Sequence, residues 1–98
     1  MPTYLAKESA SSLEARLSAR QGLGHLRVRA RGPVLTIESG PEEDPVQHAR
    51  MRRDTVHLWV LEMPARGGRW ERTPFRAQLD ALEGLLVEQF GWCLEPIC

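Results

Sequence analysis

The chain has no apolar run approaching the roughly 18 to 20 residues of a membrane span, only two cysteines, and a single lysine among its 13 basic residues. Each shortage excludes something. No membrane-spanning segment is legible in the hydropathy. Cys93 and Cys98 both fall in the last six residues, too few and too local for a disulfide framework, so free thiols are expected. A cysteine at the very end also fails the prenylation pattern, which needs it fourth from the C-terminus. His25, His48, His57, Cys93 and Cys98 show no paired spacing of the zinc type. A phosphate-cradling glycine loop, a serine elbow and a metalloprotease helix are also missing. No metal, no cofactor and no enzyme signature is therefore expected. The opening "MPTYLAKESASS" lacks a positive segment followed by an apolar one, so no secretory signal is read and a cytoplasmic location is the expectation.

Net charge is absent only in the sum. Residues 1–37 hold six basic and two acidic side chains, 38–44 hold four acids, 45–76 hold seven basic and three acidic, and 77–98 hold four acids and no base. Twelve of the basic residues are arginine, the side chain suited to bidentate contacts with carboxylate or phosphate and to stacking on aromatics. Such alternation predicts surfaces of opposite sign.

Hydrophobic content of 42% and charged content of 27% are those of a soluble globular chain rather than a disordered one. Ninety-eight residues suit one domain with one core, since two would each fall near the size where burial barely offsets chain entropy. Residues 1–10 read as a flexible extension or an earlier helical turn, and 92–98 as a tail that packs back on the domain.

The periodicities place the elements. Ser11 with Glu14 makes a capping box, and Leu13 with Leu17 an i, i+4 pair, predicting a helix from about Ser12 to Gln21 that stops at Gly22. In "HLRVRARGPVLTIESG" the period becomes two. Leu26, Val28 and Ala30 alternate with Arg27, Arg29 and Arg31, and a β-branched run from Val34 to Ile37 follows "RGP", predicting a hairpin. "GPEEDP" is an acidic turn-rich loop, and His48 to Arg53 reads as a basic connection. A third strand is expected from about Thr55 to Glu62 and a shorter fourth in "RWERT". Thr73 and Pro74 then mark the start of a helix running to Phe90, with Leu79, Leu82, Leu85, Leu86 and Phe90 on its apolar stripe. The predicted class is α+β: a two-layer sandwich, an antiparallel sheet of three to four strands with both helices on one face, in the order α-β-β-β-β-α.

One face of such a sheet stays open, and strand parity assigns residues to it. Arg27, Arg29 and Arg31 point away from the helices if Leu26, Val28 and Ala30 point toward them. On the third strand, Val56, Leu58 and Val60 form the more regular aliphatic set, so they are taken as core, with His57, Trp59 and Leu61 outside. Trp70 and Arg72 share a face of the fourth strand. The candidate binding set is thus Arg27, Arg29, Arg31, Trp59, Trp70 and Arg72, extended by Arg50, Arg52 and Arg53 of the basic connection. His48 and His57 are the weak catalytic candidates. His48 beside the arginines would offer the acid/base and electrostatic roles of small ribonucleases, but nothing in the sequence sets their geometry.

Two functions are compatible with these residues. The first is a binding or accessory domain that acts through association with a protein partner or with a second copy of itself. The alternative is an RNA- or DNA-binding protein, or a small nuclease, using the arginines for phosphate and the tryptophans for stacking. The element order is similar to that of double-stranded RNA-binding modules and of some toxin ribonucleases, a likeness of order that implies nothing about activity.

Overall fold

The computed structural model describes residues 2–20, 22–55 and 58–94, with side chains described for 8–20, 22–55, 58–91 and 94. Helix α1 (Pro2–Ser18) leads into strands β1 (Arg27–Arg31), β2 (Val34–Ser39), β3 (Val46–Arg53), β4 (Trp59–Pro64) and β5 (Trp70–Ala77). Helix α2 (Leu79–Phe90) and a short 3-10 turn over Gly91–Leu94 follow. The five strands form one antiparallel meander in chain order, and α1 and α2 cover one face of it. This is the α+β, two-layer arrangement with helices on one side, carrying five strands rather than three to four. No helix is long and apolar enough to cross a membrane among the described residues.

The additional strand is β3. In "VQHARMRR" the portion from His48 to Arg53 reads as a basic connection because its apolar side chains are small or sparse. It pairs with β2 from Val34↔Arg52 to Ser39↔Val46 and with β4 from Arg50↔Glu62 to Arg53↔Trp59, so over residues 50–52 it has a strand on each side. Its parity is set by Met51, which is fully buried.

That parity decides the next strand. Leu61 stands opposite Met51 and Trp59 opposite Arg53, which turns Trp59 and Leu61 toward the helices. Trp59 is 5% exposed and belongs to the core with Leu13 and Leu17 of α1, Leu35 and Ile37 of β2, and Leu82 and Leu86 of α2. The expectation that Trp59 and Leu61 lie outside is therefore corrected. Val60 belongs to the other face, between Arg52 and Arg76 in register. Its burial is of the kind arginine stems provide when they lie along a sheet. Val56 and His57 lie outside the described residues.

Both helices also start elsewhere than predicted. The α1 helix begins at Pro2, so Ser11 and Glu14 sit inside it and make no capping box. Glu14 instead accepts a hydrogen bond from the Val28 backbone N–H, Oε1 to N 2.7 Å, which satisfies an outward-pointing donor of edge strand β1. Thr73 and Pro74 lie in β5, not at a helix start. The pairing slips there, from Val60↔Arg76 to Glu62↔Arg72, a bulge on an edge strand where a proline without N–H is tolerated. The Thr73 hydroxyl donates to the Leu61 carbonyl at 2.8 Å instead of capping a helix. The first residue before α2 is Gln78, whose side chain makes no cap hydrogen bond. Buried Glu83 of α2 pairs with Arg20 beyond α1; this hydrogen-bonded carboxylate pushes the Arg20 guanidinium above its ordinary value.

The Glu14 contact leads to a first expectation. Glu14→Ala should cost about 1.5 kcal/mol, the low end for a hydrogen bond to a charged group, because the site is only half-buried. Amide hydrogen exchange is the check: the Val28 amide should lose protection selectively, and unchanged exchange there would refute the assignment.

Candidate binding face

The uncovered face of the sheet is built by alternation on each strand in turn. β1 contributes Arg27, Arg29 and Arg31, and β2 contributes Val34, Thr36 and Glu38 opposite them. β3 adds Gln47, Arg50 and Arg52, β4 adds Val60 and Glu62, and β5 adds Trp70, Arg72 and Arg76.

Three carboxylates organise six of the seven arginines on this face. Glu38, whose side chain is 2% exposed, receives Arg27 Nε at 3.2 Å and Arg29 Nε at 3.0 Å on the same oxygen. Arg27 is tied further to the Gly40 carbonyl at 2.6 Å. Glu62 takes Arg50 on one oxygen and Arg52 on the other. Asp54, just past β3, holds Arg76 at 2.7 Å and Arg72 at 3.7 Å. Each acid thus sits between two arginines contributed by adjacent segments. Arg31 makes no ion pair among the described residues. Seven guanidiniums against these three carboxylates and Glu42, which lines the same face from the loop after β2, leave three positive charges in excess on one face of a chain whose net charge is zero. Glu38 and Glu62 are buried and each meets two guanidiniums, a favourable form of such pairing, whereas Asp54 is 31% exposed.

Trp70 is half-buried, and the Arg50 guanidinium lies 4.5 Å from the centre of its ring, a cation–π distance. Arg50 is thereby held twice, by Glu62 at its Nε and by Trp70 at its face. In a flat sheet β1 and β5 would lie four strand spacings apart, roughly 19 Å. Trp70 nevertheless lines the same hollow of about 350 Å³ as Arg29 and Arg31. Long side chains and the curl of a sheet with two bulged pairings bring them together. The face is concave.

The structure divides the predicted set. Arg27, Arg29, Arg31, Arg50, Arg52, Arg72 and Trp70 come together on the open face. Trp59 and Arg53 do not: Arg53 points to the helix side and stacks 5.7 Å from the Trp59 ring centre. Four charged members of the face, Glu38, Asp54, Glu62 and Arg76, are absent from that set. Arg76 has the parity of Arg72 four residues earlier, a signal hidden by assigning it to a helix. Glu62 alternates with Val60, but only the β3 register shows which way they point.

His48 is separated from the arginines that flank it. The pairing jumps from Ile37↔Ala49 to Glu38↔Gln47, so His48 is the extra residue of a bulge and turns inward with Ala49. It is 3% exposed, with its Nε2 2.7 Å from the Ser39 hydroxyl and its ring edge-on to His25, centroids 6.1 Å apart. His25 donates through Nε2 to the Leu94 carbonyl at 2.7 Å, which ties down the closing 3-10 turn. His48 and the arginines Arg50 and Arg52 therefore occupy opposite sides of the sheet. His57, the other weak catalytic candidate, lies outside the described residues. Among the described residues no group of three His, Cys, Asp or Glu side chains is placed to hold a metal ion.

No family model matches this chain, and neither does any curated protein or solved structure.

Proposed function

We propose that the protein is a binding module that docks a protein partner through the open face of its sheet, and that the docking surface of the partner is acidic. The observation that carries this reading is the excess of arginine over carboxylate on a concave, uncovered face. Charge complementarity of this kind steers encounter and selects partners. The arrangement suits a protein surface better than a nucleic-acid strand for two reasons. Glu38, Glu62 and Asp54 are spread among the arginines, so a continuous phosphate backbone crossing the face would meet a carboxylate on β2, another on β4 and a third just past the end of β3. Trp70 is the one aromatic side chain of the strand registers on this face, its ring already engaged by Arg50, whereas sequence-tolerant strand binding uses successive stacking platforms.

Titration with poly-L-glutamate and with a single-stranded oligonucleotide of matched charge tests this. Poly-L-glutamate should bind with an affinity that falls as salt rises, because the contacts are partly exposed and screened, and Arg52→Glu together with Arg72→Glu should weaken it by about tenfold or more. Tighter binding of the oligonucleotide, with loss on Trp70→Ala, would replace this reading by nucleic-acid binding. Binding of neither polymer at low salt would overturn it.

A further inference from the structure

The paired arginines are not equally committed. Both Arg29 and Arg50 spend Nε on an internal carboxylate, Glu38 and Glu62 respectively, and among the described residues their terminal Nη groups make no hydrogen bond. Arg31 has no partner among the described residues. All three line one hollow of about 350 Å³, together with the Thr36 and Gln47 side chains and with Trp70 as a wall. The size falls at the low end of small-ligand sites, room for one functional group and its neighbours.

We infer that this hollow is an oxyanion subsite, which receives a single carboxylate or phosphoryl group projecting from an acidic protein partner. The inference rests on the reading of the open face given above and names its focal contact. Guanidiniums whose Nε edge is fixed by an internal carboxylate present their remaining N–H donors in a set orientation, and so lose less freedom when an oxyanion arrives. The Thr36 hydroxyl and Gln47 amide are neutral donors of the kind that complete such a cradle. Glu38 does not oppose an anion, because Arg27 and Arg29 already share it. Glu42 does: it is exposed on the loop after β2 and lines the same hollow. Its carboxylate repels an incoming anion and sets a threshold on the charge that can dock.

The arrangement predicts opposite effects from two substitutions on the same rim. The probes are inorganic phosphate and a capped peptide in three forms, carrying one phosphoserine, glutamate or serine at the same position, followed by NMR of the backbone and side-chain N–H groups. Phosphate and the two charged peptides should shift resonances of Arg29, Arg31, Thr36 and Gln47. Arg31→Gln, which breaks no ion pair of the fold, should weaken binding about tenfold, the worth of one charge-assisted hydrogen bond. Glu42→Gln should strengthen it about two- to fivefold, the scale of one partly screened charge. A phosphoserine peptide that binds better than its glutamate form identifies the group as phosphoryl; equal binding identifies a carboxylate.

A serine peptide that binds as well as the charged forms, or resonances of the hollow that stay unmoved by all probes at millimolar concentration, would overturn the subsite. If poly-L-glutamate binds the face while the hollow stays silent, the subsite fails and the docking reading stands. If phosphate occupies the hollow while poly-L-glutamate does not bind, the subsite stands and the docking reading fails.

Discussion

Trp59→Ala is expected to lower the free energy of unfolding by about 3 to 5 kcal/mol, the range for removing a large aromatic from a core, and so to consume a large part of the margin of a small domain. The ring is 5% exposed and packs with the fully buried Leu61, Met51 and Leu86, while Ala77 stands across from it on β5 and is too small to fill the space left. Part of the wall comes from β3 and β4, which have a strand on each side, so the site collapses only in part and a cavity remains. Arg53 would also lose the ring it stacks on. Urea denaturation followed by far-UV circular dichroism measures the effect as a fall in midpoint at unchanged slope. Trp70→Ala is the internal control. Its ring is half-buried on the open face and contacts Arg50, so the cost should stay within about 1 to 2 kcal/mol. Equal costs for the two tryptophans would contradict the placement of Trp59 in the core.

The second large effect is expected at Glu62. Its side chain is 10% exposed and lies between Arg50, 21% exposed, and Arg52, 42% exposed. Removing one partner of a buried ion pair costs about 3 to 5 kcal/mol because the other charge is left without compensation. Here the arginines keep some access to water, so Glu62→Ala should cost about 2 to 3 kcal/mol. The cost arises mainly from Arg50, the less exposed of the two and the one also pinned on Trp70. A double-mutant cycle separates this from simple loss of packing. Once Arg50 is replaced by methionine, which keeps much of the apolar stem, Glu62→Ala should cost at least about 1 kcal/mol less than it does in the parent. Additive costs would mean that the two side chains do not interact. The same substitution should loosen the orientation of Arg50 and so weaken anion binding in the adjoining hollow, although Glu62 itself does not line it.

Much of the architecture was legible from local patterns. The β1–β2 hairpin follows from strict alternation around "RGP", where Gly32 adopts the positive φ of 56° that the tight turn requires. The apolar stripe of α2 delivers Leu82 and Leu86 to the core as its spacing implies. Other elements were hidden because one local signal has two structural uses. Thr-Pro starts a helix in many chains, but on an outer strand the same pair forms a bulge, with the proline turned to an unpaired edge and the threonine bonded across to Leu61. In "VQHARMRR" the buried positions are His48, Ala49 and Met51. A histidine and an alanine carry little hydrophobic signal, and the bulge places two consecutive residues on one side, which breaks the period by which strands are recognised.

The candidate face shows the same division. That arginines would gather on an open sheet face followed from alternation, because consecutive side chains of a strand point to opposite sides. Which tryptophan joins them did not. The stretch from Val56 to Leu61 is apolar at both parities, so either set can be buried at similar gain, and nothing local separates the two. Only pairing with β3 does, since Met51 must face the helices and a one-residue slip would expose it.

The sequence by itself determined the class of the fold, the hairpin, the stripe of the last helix and the concentration of arginine on alternating strand positions. All of these are encoded in residues two to four apart along the chain. The tertiary structure alone decided that Trp59 is core, that His48 turns away from Arg50 and Arg52, and that Glu38, Glu62 and Asp54 each divide a pair of arginines. Those outcomes depend on the register between strands, where one residue of slip exchanges the two faces, and on contacts between side chains far apart in the chain, 22 positions for Asp54 and Arg76 and more for Trp59 and Leu13.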